Sequence, residues 1–180
     1  MTVNVYYHIW SPPDTDMWKL MVDEQIKRLY RSGLSEIANI KCAINGGQAS
    51  RIKEFVSLYD WIEILECKDS DDQYEGFTLK YLYEDCVNQN VDKVMYFHTK
   101  GMSHLSGARD VYSDRRFRAI NSWRHLMEWG CIDKWNVNLH KLNTCQVSGV
   151  NYCLDPWPHM SGNFWWARAD YILSLIHISE

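Results

Sequence analysis

A histidine, a hydroxyl and an ammonium group stand side by side at His98-Thr99-Lys100, directly after the apolar run Val94-Met95-Tyr96-Phe97 and just before Gly101. A run of this composition and length reads as a strand covered on both faces, as in a parallel sheet. In open α/β sheets, ligands bind outside the carboxyl ends of the strands, so the three polar groups are candidate ligand contacts. A strand that simply ends in polar loop residues is the alternative reading.

A second group with chemical potential is His159-Met160-Ser161-Gly162-Asn163, which precedes the apolar Phe164-Trp165-Trp166. Gly162 permits close backbone approach, and the His, Ser and Asn side chains can hydrogen-bond hydroxyl groups. Trp157, Trp165 and Trp166 offer faces for stacking, with at least one of them expected in the core. Asp69-Ser70-Asp71 forms a short acidic triplet followed by Asp72, and Asp72 lies three residues before Glu75, an acidic variant of the capping box. Arg109, Arg115, Arg116 and Arg118 make a basic segment interspersed with Asp110 and Asp114. Guanidinium groups there could close over phosphates, or line an exposed helix face. Cys145, Cys153 and His159 have the chemistry of a zinc site but lack a paired-ligand motif.

The elements that must position these groups alternate. Val3 to Trp10 is rich in strand formers and stops at Ser11-Pro12-Pro13, after which Asp14 or Asp16 can cap a helix with Trp18, Met21, Val22, Ile26 and Leu29 on one face. Ile37 to Ile44 and Trp61 to Cys67 read as strands, Ser50 to Leu58 and Phe77 to Cys86 as helices, and the Val94 run is the fourth strand. Strands separated by helices, with right-handed crossovers, predict an α/β fold around a mostly parallel sheet. Beyond Gly101, helices are expected near Asp114 to Trp129, Lys134 to Leu142 and Asp170 to Ile176. Two further strands are expected at Cys145 to Cys153 and Gly162 to Ala167, separated by the rigid turn Asp155-Pro156-Trp157-Pro158.

Bulk properties narrow the function. The 180 residues are 46% hydrophobic, enough for one domain with a sizeable core. A formal charge of −4 gives no overall basic field to hold a nucleic-acid backbone. The apolar stretches are too short to span a bilayer, and the amino terminus lacks a signal core. Six cysteines without Cys-x-x-Cys spacing point to free thiols in a reducing, cytoplasmic setting, the host cytoplasm if the protein is viral.

Gly76 opens a helix that leads through Val91-Asp92-Lys93 directly into the Val94 strand. This order resembles the nucleotide-sugar half of GT-A glycosyltransferases, in which a glycine-led helix precedes a strand ending in an Asp-x-Asp metal motif. With Tyr96 to Gly101, Trp123-Arg124 and His159 to Arg168, the chain is similar to the small glycosyltransferase domains that help build chlorella-virus capsid glycans, over residues 3–176. The resemblance implies a GT-A-like domain over residues 1–180, truncated at its carboxyl end or part of a longer protein, with a central sheet of about six strands flanked by helices. It implies a hexosyltransferase that moves a sugar from a UDP-sugar, for example UDP-glucose or UDP-rhamnose, to a glycan hydroxyl in glycoprotein glycan synthesis.

The same resemblance assigns roles. Tyr7, His8 and Ile9 would flank the base, with Asp69, Asp71 and Asp72 a mix of helix caps and nucleotide contacts. His98, Thr99 and Lys100 would meet the diphosphate, whose departure needs positive charge from a cation or an ammonium. Mn²⁺ or Mg²⁺ would be held by His98 and His159, with Asp69 and Asp71 the alternative oxygen ligands. His159, Ser161, Gly162, Asn163 and Trp165 would form the donor-sugar or acceptor wall. Asp155 is the candidate base for the acceptor hydroxyl, unless the base lies beyond Glu180. The chain departs from the family where His98-Thr99-Lys100 replaces the acidic pair. A non-catalytic nucleotide-sugar or glycan-binding module is the alternative function.

Overall fold

The computed structural model describes residues 1–70, 74–104, 115–155 and 158–175. Its strands are β1 (Val3–Ser11), β2 (Asn39–Gly46), β3 (Ile62–Lys68), β4 (Lys93–His98), β5 (Val147–Gly149), β6 (Tyr152–Cys153), β7 (His159–Met160) and β8 (Trp165–Arg168). Its helices are α1 (Met17–Arg31), α2 (Leu34–Ile37), α3 (Ala49–Val56), α4 (Gly76–Val87), α5 (Arg115–Glu128), α6 (Trp135–Lys141) and α7 (Ala169–Ser174). Six strands make one sheet in the order β3-β2-β1-β4-β8-β5, while β6 and β7 pair as a separate ribbon.

The first four strands are parallel to one another, as helical crossovers require. The chain lays β2 and β3 on one side of β1, then returns β4 to the other side. That reversal leaves a crevice between the carboxyl ends of β1 and β4, the place where open α/β sheets bind ligands. The far half of the sheet differs from a simple βα series. β8 runs antiparallel to both β4 and β5, because the chain returns to the sheet through a turn instead of a crossover helix.

Side-chain alternation divides the core. Val3, Val5, Tyr7 and Ile9 of β1 pack with Val22, Ile26 and Leu29 of α1 and with Ile52 and Val56 of α3. Tyr6, on the other face, packs with Leu82 and Cys86 of α4, Val94 and Tyr96 of β4, and Ala169 of α7. Each fully buried aliphatic or aromatic side chain contributes about 1.5–3 kcal/mol relative to exposure, so β1 anchors both layers.

Several local expectations are corrected. Asp16 holds the N-cap position of α1 but makes no side-chain cap. Its carboxylate pairs instead with Arg51 at 2.6 Å. The expected strand from Cys145 to Cys153 is broken by Asn151 at φ 56. The expected strand from Gly162 begins as a turn, since Gly162 has φ 76 and Asn163 φ 59; the backbone is extended again at Phe164, and β8 starts at Trp165. After α5 the chain widens into a π-helical turn, Trp129–Asp133, before α6. All six cysteines are free. Among the described residues, no helix is long and apolar enough to cross a membrane.

Candidate functional site

A cavity of about 600 Å³ opens at the crevice between β1 and β4, walled by His8 and Trp10, by His98, Thr99 and Lys100, by Glu75, and by Arg116 and Trp123 of α5. Its volume suits a small-molecule ligand. Strand pairing explains its floor. His8 and His98 are direct partners in the β1–β4 register, so both rings emerge on the α4 face at the sheet's carboxyl edge. The His8 Nδ1 lies 2.8 Å from Thr78 Oγ1 of α4. Burial, with the His98 charge second, pushes the His8 pKa down to about 4. The His98 Nε2 donates to the Gly162 carbonyl at 3.1 Å. Burial outweighs that contact and takes His98 down to about 4 as well, so both rings are neutral at pH 7.

Beyond the histidines the chain turns at Gly101, whose φ of 92 suits glycine, and where a Cβ would approach Ile120 Cγ2 to 2.8 Å. The turn carries Lys100 across the cavity mouth, with Nζ 4.9 Å from the centre of the Trp123 ring. That cation–π contact holds the ammonium over an apolar face without neutralising it.

Glu75 supplies the cavity's carboxylate among the described residues that line it. It occupies the N-cap position of α4 yet makes no side-chain cap. Its Oε2 accepts from Asn163 Nδ2, and its Oε1 lies 3.4 Å from His98 Nδ1. Asn163 Oδ1 in turn accepts from Trp165 Nε1 at 2.8 Å, which locks the orientation of the amide. The fully buried Tyr96 hydroxyl has no well-formed hydrogen bond among the described residues. Its pKa is held well above the ordinary tyrosine range, by burial first and by the Glu75 charge second.

The structure brings together His8, His98, Thr99 and Lys100, and separates other expected contacts from them. Tyr7 and Ile9 are fully buried in the core, since neighbours of His8 along a strand must point to the opposite face. Tyr7 stacks on Phe97 with ring centres 4.3 Å apart instead of flanking a base. The Thr99 hydroxyl is engaged by the backbone of Trp10. Asp69 is exposed and accepts from Ser50 at 3.2 Å, away from the cavity. His159, Asn163 and Trp165 line a second cavity of about 840 Å³ beside β5 and β8. Ser161 is buried beneath the turn, and the Gly162 carbonyl reaches His98. Trp166 is the core tryptophan, donating to the Cys131 carbonyl at 2.9 Å. Asp155 is exposed after β6 and lines neither cavity. Arg116 lines the first cavity, while Arg115 and Arg118 point to solvent. Asp71, Asp72, Arg109, Asp110, Asp114 and Trp157 lie outside the described residues.

Among the described residues, the side chains expected to hold a cation do not converge. His98 and His159 line different cavities, and among the described residues no three His, Cys, Asp or Glu side chains converge on one point, which also leaves the Cys145, Cys153 and His159 set unassembled.

Two features escaped the sequence. Glu75 looked like a cap. The other is a buried polar network in which Glu128, fully buried, accepts from Arg124 Nη1 at 2.6 Å, Arg28 Nη1 at 2.7 Å and Gln25 Nε2 at 2.7 Å. Gln25 Oε1 accepts from the Tyr7 hydroxyl at 2.5 Å, and Gln25 Nε2 also reaches the His98 carbonyl at 3.3 Å. Tyr7 and Gln25 thus tie the end of β4 to α1 and α5.

Residues 6–180 match the model of a single protein family, described as Domain of unknown function (DUF8361). No curated protein matches the sequence. Among solved structures, the chain is similar to a protein described as a nucleotide-diphospho-sugar transferase from Desulfovibrio desulfuricans G20, with a TM-score of 0.51 and 9% identity. That match covers 94% of this chain and 65% of the other. The chain is also similar to a 4-diphosphocytidyl-2C-methyl-D-erythritol synthase from Anaerococcus prevotii DSM 20548, with a TM-score of 0.51 and 8% identity, over 98% of this chain and 77% of that one. The fold is therefore that of the nucleotide-diphospho-sugar transferases.

Proposed function

The chain belongs to the DUF8361 family, and we propose that it is a glycosyltransferase that binds a UDP-sugar in the cavity between β1 and β4 and passes the sugar to a glycan hydroxyl. The observation that carries this reading is the position of two cationic side chains, Lys100 and Arg116, on a cavity at the point where the strand order reverses. A diphosphate leaving group accumulates negative charge as the glycosidic bond breaks, and fixed ammonium and guanidinium groups in a partly enclosed site stabilise it. The transferase-like fold supports a donor of the nucleotide-sugar class. In this proposal Lys100 and Arg116 supply part of that charge, and a divalent cation, Mn²⁺ or Mg²⁺, bound with the diphosphate would add to it.

In this reading Asn163 and Trp165 belong to the acceptor side, because the turn that carries them borders the second cavity and touches the first through Gly162. Titration calorimetry with UDP, GDP and CMP, each with and without Mn²⁺, tests the donor. Binding of UDP in preference to CMP is the expected result, and failure to bind any of the three removes the proposal. A nucleotidyltransferase reading, favoured by the likeness to the diphosphocytidyl synthase fold, would instead show pyrophosphate release from UTP or CTP in the presence of a sugar phosphate. UDP binding without turnover of UDP-glucose would favour a binding module.

A further inference from the structure

We infer that Glu75 is the proton acceptor for the hydroxyl group that attacks the donor sugar, with His98 beside it as the group that shares the proton. This rests on the donor reading given above. Among the described cavity residues Glu75 is the carboxylate, and it is held from two sides without being consumed by either: Asn163 Nδ2 donates to Oε2, and His98 Nδ1 lies 3.4 Å from Oε1. Its place at the start of α4 explains neither contact, since it does not cap the helix.

The tautomer of His98 makes the arrangement directional. Nε2 faces the Gly162 carbonyl at 3.1 Å and must carry the ring's proton to bond it. Nδ1 then presents a lone pair toward a carboxylate oxygen, two acceptors with no proton between them. Such a pair gains a hydrogen bond only when a proton arrives, so a proton taken from the attacking hydroxyl is held between Glu75 Oε1 and His98 Nδ1. The buried Tyr96 hydroxyl beside the carboxylate lacks a well-formed partner and offers a further donor to it.

The step balances as a single displacement. The acceptor oxygen forms a bond to the anomeric carbon of the donor, the bond from that carbon to the phosphate oxygen breaks, and its electron pair leaves with UDP. The hydroxyl proton passes to Glu75 Oε1, is shared with His98 Nδ1, and returns to solvent after UDP departs.

The test uses the intact chain, UDP-glucose as donor with water as the simplest acceptor, and UDP release as the readout, beside calorimetry with UDP. Glu75→Gln keeps the shape and an oxygen for Asn163, and is expected to slow UDP release by about 10²-fold or more while UDP affinity stays within about threefold of wild type. Asp155→Asn is expected to leave the rate unchanged. Should Glu75→Gln turn over at the wild-type rate with UDP bound normally, the assignment is overturned and the donor reading stands. Loss of turnover in Asp155→Asn alone would likewise overturn it. Absence of UDP binding in the wild type would remove the donor reading itself, and with it this assignment. If Glu75→Gln fails to fold, as seen by circular dichroism, Glu75→Asp decides: a carboxylate drawn back by one methylene should lower the rate at least tenfold with UDP affinity retained, and an unchanged rate overturns the proposal.

Discussion

Thr99 grips both backbone groups of Trp10: its Oγ1 accepts from the Trp10 N–H at 3.0 Å and donates to the Trp10 carbonyl at 2.9 Å. The β1–β4 ladder ends at His8 and His98, so this hydroxyl extends the pairing past the ladder and fixes the cavity floor. Thr99→Val preserves the shape and removes both bonds. It should cost about 1–3 kcal/mol in urea unfolding, because a partly buried amide and carbonyl lose this partner, whereas Thr99→Ser should cost less than half as much. Equal stability of the two variants would refute the role of the hydroxyl.

The two cavity histidines impose a pH dependence. Each has a folded pKa near 4 against 6.5 in the unfolded chain, so the unfolded state binds more protons between these values. The sign follows: the stabilisation is complete above pH 6.5 and is lost as pH falls toward 4, with a magnitude on the order of 3 kcal/mol per histidine. Thermal melts from pH 7 to pH 4.5 should show a falling midpoint, and His98→Gln should flatten the slope. A slope identical to wild type would contradict the burial argument.

Glu128 is surrounded by donors in the interior. Glu128→Ala leaves Arg124, which is 2% exposed, without its main buried partner. A cost of about 3–5 kcal/mol is expected from equilibrium unfolding. The double variant Glu128→Leu with Arg124→Met should recover much of this, since both fully buried charges are gone and Arg28, which also donates to Glu128, keeps its pair with Asp133 at 3.2 Å. Failure of the double variant to improve on the single one would argue against charge burial as the cause.

At Gly162, φ is 76 and an added Cβ would meet Met127 Sδ at 2.1 Å. Gly162→Ala should therefore destabilise by the left-handed backbone penalty of about 1–2 kcal/mol and by displacement of Met127. Adding Met127→Ala should relieve the second part only relative to its own single variant. Additive unfolding energies for the two changes would show that the contact does not matter.

Lys100→Ala is expected to weaken UDP binding about tenfold or more in calorimetry, with a smaller dependence on salt than wild type. Its effect on stability should stay within about 1 kcal/mol, the range of an exposed cation–π contact. Unchanged UDP affinity would remove Lys100 from the proposed diphosphate contacts.

The parallel half of the fold was legible because strand and helix periods are written in neighbouring residues: Val3 to Trp10, then Trp18 to Leu29, needs no distant partner. The strand tip at His98 and Lys100 was legible for the same reason. Tyr7, His8 and Ile9 were read as a group, although alternation alone allows only His8 to join His98 on the α4 face. The antiparallel insertion of β8 was not legible, since Trp165-Trp166-Ala167 has strand composition in either direction. Glu75 was hidden by its local context, an acidic residue at a helix start, where capping is the ordinary expectation. Its neighbour Asn163 lies 88 residues away. The Glu128 network was hidden likewise: Arg124 and Glu128 are spaced as a surface helical pair, and their burial depends on Gln25 and Arg28, about a hundred residues earlier.

The reversed direction of β8 has an evolutionary consequence. Because β8 enters the sheet at the same edge where β4 leaves it, with Trp165 opposite Tyr96, the stretch from 158 to 164 arrives beside His98 without contributing to the β1–β4 ladder. Insertions and replacements in that stretch can remodel the wall of the cavity while the strand pairing that builds its floor stays intact.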